Sequence, residues 1–90
     1  MRKDIKLKAI RRLKIIEGQV RGLQKMVEDD SYCVNIITQA GAVIEAISGV
    51  ESLVLENHLL QHVVEQMKNG KEDRAVEEIL KVYKLAQRKK

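Results

Sequence analysis

Between Asp30 and Lys68 the sequence offers one long helical segment with nothing to interrupt it. The chain contains no proline, and proline is the residue that most reliably breaks a helix. Ile36, Ile37, Ala40, Val43, Ile44, Ile47, Val50, Val54, Leu59, Leu60, Val63 and Val64 cover more than one face of the segment. A helix apolar on several sides must be buried on several sides. Roughly 36 residues at ~1.5 Å each make a rod of ~54 Å. A compact chain of 90 residues has a radius of gyration of only ~12 Å. The rest of the chain cannot cover such a rod. Self-association into an antiparallel helical bundle is the expected solution.

The remaining sequence supplies two shorter helices. Ile5, Ala9, Leu13, Ile16, Val20, Leu23 and Val27 recur every three or four residues, which predicts an amphipathic helix over Ile5–Val27. Lys8, Arg11, Arg12, Lys14, Arg21 and Lys25 fall outside that stripe. Glu28-Asp29-Asp30-Ser31 marks the boundary, with Asp30 or Ser31 expected to cap the long helix. Lys68-Asn69-Gly70 reads as its stop, with Asn-Gly suited to a left-handed cap. Val76, Ile79, Leu80 and Tyr83 form the stripe of a last helix over Glu72–Gln87. The fold class expected is all-α, with three helices per subunit in a single domain over residues 1–90.

Charge is segregated along the chain. Residues 1–27 hold nine Lys/Arg against Asp4 and Glu17, residues 28–67 hold seven acids and no Lys or Arg, and residues 68–90 hold eight Lys/Arg against four acids. Two basic ends suggest an anionic partner, although a solvated helix face shows the same pattern. No uninterrupted apolar run approaches the ~20 residues of a membrane span, so none is expected to cross one. The charged start MRKDIKLK is not followed by an apolar signal region, so a cytoplasmic location is expected. The single cysteine fits a reducing compartment, as a thiol, a metal ligand or a core residue. No Ser/His/Asp set or phosphate-binding glycine loop points to an enzyme or a small-molecule substrate.

Cys33, His58 and His62 interrupt the apolar pattern of the long helix. The two histidines stand four residues apart, on one face, at a spacing that suits a shared metal ion. Each feature alone is weak, because buried cysteines and histidines commonly just pack. Geometry joins them. Cys33 and His58 lie ~37 Å apart along one helix and cannot meet within it. Antiparallel pairing about a two-fold axis near Ala46 sets Cys33 level with residues 59–60 of a second copy. Gly41, Ala42, Ala46 and Gly49 flank that crossing and permit close approach. A thiolate with two imidazoles favours Cu(I). Zn(II) wants four ligands, and Ni(II) or Co(II) more nitrogen or oxygen donors, so a further ligand would admit them.

The segment Arg12-Leu13-Lys14-Ile15-Ile16-Glu17-Gly18-Gln19-Val20-Arg21-Gly22 resembles the signature of the copper-sensing repressor family, the CsoR/RcnR type. Tyr32-Cys33, Gln39, Ala42-Val43 and Asn57-His58 with His62 continue the likeness. The resemblance implies an antiparallel dimer with a four-helix core and a tetramer made of two dimers. It implies operator DNA as partner, repression without metal and release on metal binding. Cys33 and His58 match metal ligands of the family. His62 stands where the copper branch most often has a second cysteine, while the nickel/cobalt branch has histidine there and another near its N-terminus. Tyr32 and Glu78 match residues that steady the ligands in the copper branch.

Nothing in the chain resembles a helix-turn-helix or a zinc finger. The expected DNA surface is the basic face of the first helix, with Lys8, Arg11, Arg12, Lys14, Gln19 and Arg21 as candidates. Two other classes remain open on the sequence. One is an architectural DNA-binding protein in which Cys33 and the histidines only pack. The other is a thiol or aldehyde sensor that uses Cys33 without metal.

Overall fold

A computed structural model describes residues 1–87 of the chain. Helix α1 spans Lys3–Glu28 and α2 spans Cys33–His58. A π-helical turn over Leu59–Val63 continues α2 into a short helix α3, Val64–Lys68. Helix α4 covers Glu72–Gln87. The long rod is therefore present, but it is not regular: it widens over five residues between its two α-helical parts.

The two turns share one geometry and use different residues for it. After α1, the Ser31 N–H donates to the Met26 carbonyl and the Asp30 N–H to the Val27 carbonyl. After α3, the Lys71 N–H donates to Gln66 and the Gly70 N–H to Met67. This pair of bonds is the Schellman ending, which needs a left-handed residue. Gly70 takes it at φ 73° and Asp30 at φ 54°. Asp30 thus closes α1 and does not open α2. Tyr32 stands at the N-cap of α2, with no side-chain hydrogen bond to the helix. The expected cap at Asp30 or Ser31 is corrected on this point: a short polar side chain tolerates the left-handed region, and the C-terminal role took it.

The chain is flat and long. It measures 58 × 29 × 12 Å along its principal axes, with a radius of gyration of 17.5 Å. A thickness of 12 Å is that of one helix with its side chains. One layer of helices has no second layer to close a core against. Burial is correspondingly thin. Ile5, Ala9 and Leu53 form a small cluster with Val50 packed against it, and Ile16 and Val43 are buried further along the α1–α2 hairpin. Of the expected α1 stripe, Leu13, Val20 and Val27 remain exposed. On α2, Ile37 is 69% and Ile44 64% exposed. By length and composition, Cys33–Lys68 also qualifies as a membrane-crossing segment, contrary to the reading of the sequence. The same open apolar surface is what a helix shared between copies presents.

The small residues of α2 divide between two faces. Gly49 backs onto the Arg12 guanidinium, and Ala46 lines a groove of about 310 Å³ with Arg12, Gln19 and Glu45. Both therefore turn toward α1, which corrects the expectation that they ease the approach of a second copy. Gly41 and Ala42 face outward, with nothing near Gly41.

Candidate metal centre

Helix α4 packs back on the π-helical turn through small and apolar residues. Ala75 and Val63 are both buried there. Glu78 follows Ala75 by one helical turn on the same face. That placement brings its Oε1 within 2.6 Å of Nε2 of His58, at the end of α2. The two side chains are each a little under a third exposed. With Nε2 occupied by the carboxylate, Nδ1 is the ring nitrogen of His58 left for another partner.

His62 lies in the π-helical turn and is exposed. Its ring sits beside that of His58, with centroids 4.6 Å apart and planes tilted by 33°. In the same turn the Val64 N–H donates to the Leu59 carbonyl, five residues back. This wide bond is typical of π-turns, which recur at functional sites. The expected pairing of the two histidines is therefore present, together with Glu78 behind one of them.

Cys33 is the first residue of α2 and is an exposed free thiol. The whole of α2 separates it from His58, so the chain does not bring the thiol to the imidazoles. Among the described residues no group of three or more His, Cys, Asp or Glu is gathered in metal-binding geometry. Tyr32, beside Cys33, is likewise exposed. The donors present fit a soft or borderline ion in kind, and the chain holds them at two distant points.

The DNA candidates share one helix but not one environment. Lys8, Arg11 and Lys14 are exposed on α1. Arg21 is exposed and paired with Glu17 at 3.1 Å. Arg12 lies against Gly49 of α2. Gln19 is half-buried beside it, its Oε1 enclosed without a hydrogen bond among the described residues.

One buried polar residue belongs to the family likeness without a role assigned to it from the sequence. Asn57 is 6% exposed. It continues the spacing of Val43, Val50 and Leu53 along the face of α2 that meets α1. An amide in an otherwise apolar stripe was the signal available.

Comparison with known proteins adds an independent line. The family model described as metal-sensitive transcriptional repressor matches residues 5–84. The copper-sensing transcriptional repressor CsoR of Bacillus subtilis is 48% identical over 73 residues, covering 81% of this chain and 72% of that one. The transcriptional repressor RcnR of Citrobacter koseri is 38% identical over 77 residues, covering 86% of this chain and 83% of its own. Among solved structures, the copper-sensing repressor CsoR with Cu(I) from Geobacillus thermodenitrificans superposes with a TM-score of 0.83 at 37% identity, covering 97% of this chain and 91% of that one.

Proposed function

Because the chain belongs to the metal-sensitive transcriptional repressor family, we propose that it is a cytoplasmic, copper-responsive repressor that leaves its operator when Cu(I) is captured between two copies. The observation that carries this reading is the split donor set. His58 and His62 stand side by side with Glu78 behind the first, while Cys33 waits exposed at the opposite end of α2. Antiparallel pairing of two α2 helices about an axis near Ala46 joins the two halves, twice per dimer. It also covers the outward apolar residues of α2, such as Ile37 and Ile44, which makes an interface more apt than a membrane for this surface. Two such dimers would form the tetramer, with residues 1–90 acting as one unit.

Each residue then has a distinct part. His58 offers Nδ1, and Glu78 holds its ring in place through Nε2. His62 and the Cys33 thiolate of the second copy complete three ligands, a number that suits Cu(I). The ion supplies a bond between copies. Tyr32 lies next to Cys33 and would steady it. Lys8, Arg11, Arg12, Lys14 and Arg21 would neutralise phosphates, with Gln19 in support, giving strongly salt-dependent affinity. Release follows by linkage if the metal-loaded arrangement of the basic faces fits DNA less well. A Ni(II), Co(II) or Zn(II) response is the second reading, favoured by the two neighbouring imidazoles and by the likeness to RcnR.

Anaerobic fluorescence anisotropy on a promoter fragment from upstream of its own coding region tests this. Cu(I) at one equivalent per chain should weaken binding by at least about tenfold. Unchanged DNA binding in the presence of Cu(I) would overturn the copper reading, and the same indifference to Ni(II), Co(II) and Zn(II) would overturn the second.

A further inference from the structure

The first turn of α1 is tied to the histidine-bearing end of α2 through Asn57. The Arg2 backbone N–H donates to Asn57 Oδ1 at 2.7 Å. The other side of the same amide, Nδ2, donates to Gln61 Oε1 at 3.1 Å. Asn57 directly precedes His58, and Gln61 directly precedes His62 within the π-helical turn. Its one buried amide therefore touches α1 on one side and the segment between the two histidines on the other.

We propose that Asn57 is the positioning residue that couples metal capture to the basic helix α1. Three observations support it together. Asn57 is the buried polar residue of the hairpin, and an amide is retained there only at the cost of satisfying both its ends. Arg2 is the N-cap of α1, so its N–H fixes where that helix starts and how it leans on Leu53 and Val50. The first turns of α1 carry Lys3, Lys6 and Lys8 on the exposed side. Any shift of the π-helical turn toward a different helical width moves Gln61 relative to Asn57. When the amide follows Gln61, its bond to the Arg2 N–H is stretched or lost and the seat of α1 changes with it. Contiguous hydrogen-bonded groups with two arrangements are the physical basis of such coupling.

This inference rests on the metal-responsive reading above, and the test separates the two. Asn57→Leu removes both bonds, and Asn57→Asp keeps an acceptor for the Arg2 N–H while losing the donor to Gln61. Three quantities are measured for each variant: Cu(I) affinity by competition with a chelator, operator affinity with and without Cu(I), and the Arg2 amide resonance by ¹⁵N NMR. Cu(I) affinity should stay within about threefold of wild type, because no ligand is touched. The ratio of operator affinities without and with Cu(I) should fall about tenfold or more in Asn57→Leu, and by less in Asn57→Asp. The Arg2 resonance should move on Cu(I) addition in wild type and stay still in both variants. Should Asn57→Leu fail to fold, Asn57→Asp alone decides: a full response with a moving Arg2 resonance overturns the proposal. A wild-type protein that holds its operator in the presence of Cu(I) overturns the underlying reading as well.

Discussion

The two ends of the long rod are built in different ways. At the His58 end, α4 folds back, Glu78 grips one imidazole, the second imidazole lies alongside, and the backbone widens into a π-helical turn. At the Cys33 end, a regular helix starts after an unassisted N-cap and presents its thiol to solvent. One end gathers two imidazoles and a carboxylate from its own chain, and the other presents a lone thiol; in the proposed function that thiol is the ligand given to a second copy. On the proposed function, the contrast means that a single flat layer one helix thick holds only half of each metal site.

That comparison predicts unequal sensitivity. Glu78→Gln keeps the shape of the carboxylate and removes its charge. It should lower Cu(I) affinity by about 10- to 100-fold, while leaving metal-free operator binding within about twofold. Unchanged Cu(I) affinity would mean that the His58 end is not prepared by α4.

The turns at the two ends of the rod sharpen the comparison on a smaller scale. Gly70→Ala should cost about 1 kcal/mol of stability, because a side chain is disfavoured at φ 73°. Asp30→Gly should gain about 0.5 kcal/mol at the opposite end, where the chain already sets a side chain at φ 54°. Chemical denaturation of both variants checks the signs. A loss at Asp30→Gly would show that the aspartate makes a compensating contribution.

Much of the fold was legible in the sequence, and the exceptions have physical causes. Hydrophobic spacing located the first helix, the long rod as one piece and the last helix, and Asn69-Gly70 marked the right stop, since glycine is the least strained left-handed residue. The role of Asp30 was misassigned because aspartate suits both an N-cap and a left-handed C-terminal position, and only the competition between adjacent helices decides. The π-helical turn had no signal in a periodicity of three and four, because one wide turn inside a long apolar helix leaves the pattern nearly intact. The α1 stripe at Leu13, Val20 and Val27 stays exposed because a single layer of helices gives it nothing to pack against. The histidine pair was readable from spacing. Its link to Glu78 came from the family likeness; Asn57 was named there too, but its burial and its bond to Arg2 were not legible because the partner is a backbone N–H 55 residues away in sequence.

The central claim is that two copies build each metal site, and mixed subunits test it most directly. Cys33→Ala and His58→Ala homo-oligomers should each lose high-affinity Cu(I) binding by more than about 100-fold. Co-refolded at equal amounts, the two variants should recover intact sites in the mixed dimers, one per dimer, and release operator DNA again on Cu(I) addition. Tight Cu(I) binding by either variant alone, or no recovery on mixing, would contradict the account.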